Sequence, residues 1–304
     1  MRIIFMGTPD FAVASLAALL QAGEEVVAVV TTPDKPAGRG QKMHESAVKK
    51  YAVQQGLPVL QPEKLKNSEF IGELRSYRAD LQVVVAFRML PEVVWNMPPF
   101  GTINVHASLL PQYRGAAPIN HAIIQGETYT GVTTFLLQHE IDTGNVLFSQ
   151  RVEIDPQDTA GILHDKLMAA GAEVLLKTVH AIKNDNVQPV PQAQLETVEL
   201  KTAPKIFKED CKIIWDRPTE QVYNQIRGLS PYPAAYTLLD GKVLKIFKTE
   251  KGELLDRSPG AYVTDGKTFL SFATQDGSLS ITSLQLEGKK RMQIDEFLRG
   301  YRFD

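Results

Sequence analysis

The first 185 residues of the chain alternate short apolar runs with amphipathic stretches of helical period. Residues 2–6, 26–31 and 83–86 are mainly apolar, as expected for strands covered on both faces. Residues 10–21 and 45–55 repeat their apolar positions with the period of a helix. Strands and helices that alternate in this order predict an α/β domain with a Rossmann-like, mostly parallel sheet.

A shorter pattern singles out one strand of that sheet. The apolar positions of residues 101–106 alternate with Asn104 and His106, so the two polar side chains point to the same side. Residues 108–111 then break the alternation. We therefore expect the imidazole at the carboxyl end of the strand, where open α/β sheets bind their ligands.

Two nearby segments each have two interpretations. Asp142 lies in a sharp loop, residues 140–144, where a carboxylate either caps the turn or, if it faces His106, takes part in a site. Phe87 and Met89 follow a central strand, where they either wall a flat aromatic ligand or pack into the core.

The pattern changes after residue 185. Residues 186–204 contain three prolines among short polar residues, which is typical of an extended linker. Beyond them, short strands separated by Asp-Gly turns predict a small OB-like β-barrel. The expected order is thus a catalytic domain (1–185), a linker (186–204) and a carboxyl-terminal β-barrel domain (205–304).

Composition limits what this chain can be. With 304 residues, 43% apolar and 22% charged, it is long enough for two globular domains, and no apolar run approaches the length of a membrane helix. The single cysteine, Cys211, excludes an internal disulfide and a cysteine metal cluster, and it favours a reducing cytoplasm. The six histidines lack the spacing of a metal-binding helix, so no metal is expected.

Basic residues concentrate in two places although the formal net charge is −2. Residues 33–45 form a loop rich in Gly and Pro with Lys35, Arg39 and Lys42, which is either a solvated connection or a finger that contacts an anionic polymer. The segment from Lys205 onward holds sixteen basic and fourteen acidic residues. Its basic clusters form either a solvated face or a nucleic-acid-binding face, and they comprise Lys242, Lys245, Lys248, Lys289, Lys290 and Arg291.

Several motifs together resemble the folate-dependent formyltransferases. They are NVHASLLP at 104–111, YRGAAPI at 113–119 and IDTG at 141–144. The opening RIIFMGTPDFA at 2–12 and the loop PDKPAGRG at 33–40 are similar to the branch of the family that acts on charged initiator tRNA. The resemblance covers essentially the whole chain, including its carboxyl-terminal part.

The resemblance implies transfer of a formyl group from 10-formyltetrahydrofolate to the amino group of methionine carried by initiator tRNA. Asn104 and a protonated His106 would stabilise the oxyanion that forms, and Asp142 would orient the imidazole and stabilise its charge. Either His106 or a water held by Asp142 would move the proton. No metal is implied.

The resemblance also assigns contacts to the two substrates of a monomeric, cytoplasmic enzyme. The folate would be held by Phe87, Arg88, Met89, Leu90, Ser108, Leu109, Leu110, Pro111, Glu140 and Ile141. The tRNA would be held by Lys35, Arg39, Lys42, Lys245, Lys248, Lys289 and Lys290.

Four positions depart from the family pattern. Phe87-Arg88 replaces the commoner Tyr-Gly, Gln112 stands where the tRNA branch often has a basic residue, and Asn145 stands where an acid is frequent. Two alternatives to the tRNA enzyme are a formyltransferase that acts on a small amine such as an amino sugar, and a catalytically silent RNA-binding protein with the same fold.

Overall fold

A computed structural model describes residues 1–37, 42–195 and 199–303 of the chain. Up to residue 183 its elements are β1 (Arg2–Gly7), α1 (Asp10–Gln21), β2 (Glu25–Val30), β3 (Lys35–Ala37), β4 (Lys42–His44), α2 (Ala47–Gln54), β5 (Val59–Leu60), α3 (Ser68–Ser76), β6 (Leu81–Val85), α4 (Glu92–Trp95), β7 (Thr102–His106), β8 (Arg114–Gly115), α5 (Pro118–Ile124), β9 (Tyr129–Leu136), β10 (Val146–Glu153) and α6 (Ala160–Lys183). Beyond α6 they are a 3₁₀ turn (Gln192–Gln194), β11 (Thr202–Ala203), a second 3₁₀ turn (Glu209–Cys211), α7 (Thr219–Gly228), β12 (Ala235–Leu239), β13 (Lys242–Gly252), β14 (Tyr262–Thr264), β15 (Leu270–Ala273), β16 (Ser278–Leu286), β17 (Met292–Gln293) and α8 (Ile294–Gly300).

The chain divides into two compact units that are not continuous in sequence. The first unit comprises Met1–Gly115, Gly131–Val152 and His164–Thr202. The second comprises Ala116–Thr130, Glu153–Leu163 and Ala203–Asp304. Helix α5 and the beginning of α6 therefore group with the carboxyl-terminal segment.

A seven-stranded sheet dominates the first unit, in the order β10-β9-β7-β6-β1-β2-β5. Strands β7, β6, β1, β2 and β5 pair in parallel, and β9 pairs antiparallel to β7. The interior strand β1 is apolar on both faces, and the side chains from Ile3 to Met6 are fully buried. These continuous apolar runs bury both sheet faces, and the predicted mostly parallel α/β fold is confirmed.

A short hairpin interrupts the basic loop that the sequence predicted as irregular. Strands β3 and β4 pair antiparallel, with Lys35 opposite His44. Three-residue strands without apolar alternation give no periodic signal, which explains why the pattern missed them. Arg39, a predicted tRNA contact in this loop, lies outside the described residues.

The second unit contains a six-stranded antiparallel sheet that forms a half barrel. Its order is β12-β13-β16-β15-β14, and β17 adds to β16. The predicted turn Asp240-Gly241 joins β12 to β13 with both residues at positive φ, as a tight hairpin requires. The expected OB-like barrel is thus present as an open, barrel-like sheet, and helix α7 begins at Thr219.

An aromatic stack fills the core of this half barrel. Phe272 is 1% exposed and lies parallel to Trp215 with ring centroids 4.7 Å apart. Tyr262 packs on the Phe272 ring with ring centroids 5.8 Å apart.

Among the described residues, no helix has both the length and the apolar composition that crossing a membrane would need.

We expect Phe272→Ala to lower the free energy of unfolding of the second unit by about 3–5 kcal/mol, because it leaves a cavity beneath Trp215. The measurement is chemical denaturation followed by tryptophan fluorescence. Phe269→Ala is the matched control, since Phe269 is 38% exposed, and it should change stability by no more than about 0.5 kcal/mol. Equal losses in the two variants would contradict the assignment of Phe272 to the core.

Candidate active site

Strand β7 ends at His106, so the imidazole stands at the carboxyl edge of the parallel sheet, as the alternation predicted. The ring is 7% exposed, and its Nε2 lies 2.9 Å from the carbonyl oxygen of Tyr113. A carbonyl only accepts hydrogen bonds, so Nε2 carries the proton and donates. The other ring nitrogen, Nδ1, is left to face the site.

Asp142 lies beside that second nitrogen. Its Oδ2 is 3.8 Å from Nδ1 of His106 and accepts a hydrogen bond of 3.0 Å from the backbone N–H of Gly115. Asp142 has a φ of 56°, a left-handed conformation that residues other than Gly seldom adopt. The loop therefore holds the carboxylate beside the imidazole, which is the arrangement that the site interpretation of Asp142 requires.

Asn104 is two residues before His106 on the same strand and is partly exposed. No side-chain hydrogen bond to its amide is found within the described residues. The amide is therefore available to a ligand on the side of the sheet that bears His106. The structure thus brings the amide, the imidazole and the carboxylate to one end of β7.

Gln192 is a site residue that the sequence did not reveal. It lies in the 3₁₀ turn of the predicted linker and is 3% exposed. Its Nε2 donates to the carbonyl oxygens of Asp142 and Gly144, both at 2.8 Å. Its Oε1 accepts from Nε and Nη2 of Arg114 at 2.9 and 2.7 Å. One Gln among several in a segment rich in proline and polar residues carries no periodic or motif signal.

The segment after His106 is held by buried hydrogen bonds. Thr133 Oγ1 donates to the carbonyl oxygen of Ser108 at 2.7 Å and accepts from the N–H of Leu110 at 3.1 Å. The Ser108 hydroxyl is fully buried and donates to the carbonyl oxygen of Gln112 at 2.6 Å. Leu109 packs close to Gly131. Because Ser108 and Leu110 are buried, this segment offers a ligand mainly its backbone and Leu109.

The other predicted folate loops differ among themselves in exposure. Phe87 and Leu90 pack against the core, whereas Met89 is 73% exposed. The Arg88 guanidinium donates to two backbone carbonyls of residues 62 and 63, and burial lowers the pKa of Arg88. Ile141 and Glu140 are exposed.

A shallow depression of about 730 Å³ runs along the first of these loops, with a largely apolar lining. It is lined by Leu65, Lys66, Met89, Leu90, Pro91, Glu92 and Val93.

Most of the predicted tRNA contacts lie on the surface. Lys35 on β3 and Lys248 on β13 are exposed, and Lys245 is partly exposed. Gln285 pairs with Lys245 across the sheet, and its side chain donates to the backbone carbonyl oxygen of Lys289 at 2.8 Å.

Lys290 is exposed and forms an ion pair of 3.6 Å with Glu296. Arg39 and the side chain of Lys42 lie outside what the structure describes. In the described part of the chain, no group of three or more His, Cys, Asp or Glu residues is placed to hold a metal ion.

The fold matches that of solved formyltransferase structures. An N-formyltransferase from Helicobacter canadensis, solved with folinic acid and dTDP-3-aminofucose, has a TM-score of 0.67 and 19% identity over 95% of this chain and 99% of its own. HypX from Aquifex aeolicus in complex with tetrahydrofolic acid has a TM-score of 0.68 and 21% identity over the whole chain, which spans about half (48%) of HypX. At these identities the likeness establishes the fold.

Sequence comparison establishes the family. A formyl transferase model matches residues 1–179, and a model of the formyl transferase C-terminal domain matches residues 205–302. The chain therefore belongs to the formyltransferase family. It is 57% identical over 309 residues to the methionyl-tRNA formyltransferase of Bacteroides thetaiotaomicron, covering 99% of this chain and 96% of that protein. It is 50% identical over 313 residues to the enzyme of the same name from Porphyromonas gingivalis, with the same coverage.

Thr133→Val should lower the free energy of unfolding by about 1–3 kcal/mol, because it leaves the buried N–H of Leu110 and the carbonyl of Ser108 without their partner. Urea denaturation measures the change. Thr128→Val, at an exposed threonine, is the matched control and should stay within about 0.5 kcal/mol of the original protein. An unchanged Thr133→Val protein would show that this segment is held by other contacts.

Proposed function

We propose that the chain transfers the formyl group of 10-formyltetrahydrofolate to the amino group of methionyl initiator tRNA, giving N-formylmethionyl-tRNA for translation initiation. The placement of Asp142 beside His106 at the end of β7 carries the proposal for the chemistry. Relatives named methionyl-tRNA formyltransferase, 50–58% identical over nearly the whole chain, support the choice of substrate.

The chemistry follows from the three polar groups. The neutral amine attacks the formyl carbon, the C–N bond to the folate nitrogen breaks, and the amine proton passes to that nitrogen. An oxyanion develops on the formyl oxygen, and the Asn104 amide donates a hydrogen bond to it. Nε2 of His106 is committed to the Tyr113 carbonyl, so Nδ1 is the ring nitrogen that gives or takes a proton. Asp142 stabilises the imidazolium whenever Nδ1 is protonated.

We assign the folate to the loops around His106. Donors and acceptors on the backbone of residues 108–111 and 140–142 would contact its pterin, and exposed Met89 would contact an aromatic ring. Arg88 is tied to the carbonyls of residues 62 and 63, so we assign it to support of the loop from Phe87 to Leu90. The Leu109 side chain would add an apolar contact.

The tRNA would be held by cations of the loop that contains Arg39 and by the basic face of the half barrel. Gln285 pairs with Lys245 on β13 and donates to the backbone carbonyl of Lys289, and Lys248 follows Lys245 on the same strand. A group of like charges on one surface favours a polyanion as partner. The proposal includes Lys35, Lys42 and Lys290 as further contacts. It also includes a catalytic domain (1–185), a linker (186–204), a tRNA-binding domain (205–304), and a monomeric protein in the cytoplasm.

An amino-sugar nucleotide is the second candidate acceptor, because a structural neighbour was solved with dTDP-3-aminofucose. The deciding experiment incubates the purified chain with 10-formyltetrahydrofolate and, separately, with methionyl initiator tRNA, methionyl elongator tRNA and an amino-sugar nucleotide. Formylation of the initiator tRNA at the highest kcat/KM is expected. Preferential formylation of the sugar would favour the second candidate, and no formylation would favour a catalytically silent RNA-binding protein.

His106→Ala should lower kcat for the preferred acceptor by about 10²–10⁴-fold, because the oxyanion and the migrating proton lose their partner. The tRNA Kd should stay nearly unchanged. Steady-state kinetics and filter binding measure the two effects. His180→Ala, on the exposed face of α6, is the control and should keep full activity. A fully active His106→Ala protein would overturn the assignment of the site.

Arg39→Ala should raise KM for the tRNA by about tenfold or more, because one charge-assisted contact to phosphate is lost. The KM for the folate should not change. Arg75→Ala removes an equal charge from the exposed end of α3 and serves as the control. An unchanged catalytic efficiency of the Arg39 variant would remove this loop from the tRNA interface.

A further inference from the structure

The Gln192 side chain bonds to three groups close to the Asp142 carboxylate. They are the backbone carbonyls of Asp142 and Gly144 and the guanidinium of Arg114. The four hydrogen bonds found for its side chain end on residues 114, 142 and 144, and none of these ends on a helix or on the large sheet. Both amide hydrogens and the amide oxygen are used. Burial at 3% exposure shields these bonds from competition with water, which increases their effect on geometry.

Two of these bonds fix the backbone that presents the carboxylate. One NH₂ group holds the carbonyl oxygens of Asp142 and Gly144 at the same distance of 2.8 Å, which pins both ends of a three-residue turn. Asp142 is in the left-handed region, which costs free energy for a residue with a Cβ. The two bonds oppose relaxation of this turn toward a conformation in which the carboxylate leaves His106.

The remaining two bonds act on the other side of the same carboxylate. The Gln192 oxygen receives both N–H groups of the Arg114 guanidinium, and Arg114 directly precedes Gly115. The backbone N–H of Gly115 donates to Oδ2 of Asp142. A single side chain therefore restrains the backbone of Asp142 and the strand that supplies the donor to its carboxylate.

We propose that Gln192 is the positioning residue of the active site: it acts through Asp142 and sets the distance between the carboxylate and His106. The inference rests on the proposed function for the role of Asp142. Only an uncharged amide of this length supplies two donors and an acceptor together. A carboxylate at this position keeps the contact to Arg114 and repels the two carbonyl oxygens.

Hydrogen exchange tests the positioning itself without any substrate. Gln192→Ala should increase amide exchange in the loop 140–145 and at residues 114–115, whereas strands β1 and β6 should exchange as in the original protein. Gln194→Ala changes an exposed Gln in the same 3₁₀ turn and should leave the exchange of all these segments unchanged. Unaltered exchange of the loop in the Gln192 variant would overturn the proposal, whether or not the chain formylates tRNA.

Kinetics then test whether the positioning acts through Asp142. Gln192→Ala should lower kcat by about 100-fold, since small displacements of a reacting group have effects of this size, and KM for both substrates should stay nearly constant. In an Asp142→Asn background, the same change should cause a much smaller further loss, because the two residues act as a unit. Equal losses in the two backgrounds, or a loss confined to KM, would overturn the proposal.

A conservative variant guards against simple misfolding. Gln192→Glu preserves size and the contact to Arg114, and thermal denaturation should show a folded protein. Its activity relative to the original enzyme should rise as the pH falls, because protonation of the introduced carboxyl restores one donor toward the two carbonyls. A ratio that does not change with pH would contradict the need for donors at this position. Activity of the original protein on methionyl-tRNA, measured in parallel, separately tests the proposed function.

Discussion

The geometry of the proposed active site depends on one hydrogen bond of the buried imidazole of His106. Its Nε2 is tied to the carbonyl oxygen of Tyr113, so that only Nδ1 is left for chemistry. A buried ring that can carry charge needs a partner for that nitrogen, because an unpaired charge away from water is costly. Asp142 is that partner, 3.8 Å away. The loops around β7 therefore have to keep a carboxylate in a conformation that its own backbone disfavours.

In the first unit, the sheet and the loops meet different parts of this requirement. The parallel sheet fixes where β7 ends, through strands whose side chains are almost fully buried. The loops then fix each other through side chains from distant parts of the sequence: Thr133 holds the segment after His106, and Gln192 holds the turn of Asp142. Rigid support of this kind keeps the reacting groups in place before the substrate binds, so substrate binding energy is not needed to order them.

The formyltransferase fold fits several acceptors, and the site at β7 does not by itself choose among them. In the proposed function, Asn104, His106 and Asp142 act on the one-carbon group, which any acceptor amine would meet in the same way. Selection of a large acceptor requires surface that touches it away from the reacting atoms. In the proposed function, Lys245 and Lys289 on the half barrel of the second unit belong to a surface of that kind.

The sequence by itself determined the parallel sheet, the half barrel, and the place of Asn104 and His106 at the end of β7. Apolar runs and alternation report burial directly, because burial is a local property of each side chain. Only the tertiary structure decided that Asp142 faces the imidazole and that Nε2 of His106 donates to the carbonyl of Tyr113. It alone also showed that Gln192, in the predicted linker, bonds to the loop of Asp142. These contacts join residues far apart in the chain through single hydrogen bonds. No local pattern records such pairs, since each depends on where other segments have already been placed by packing.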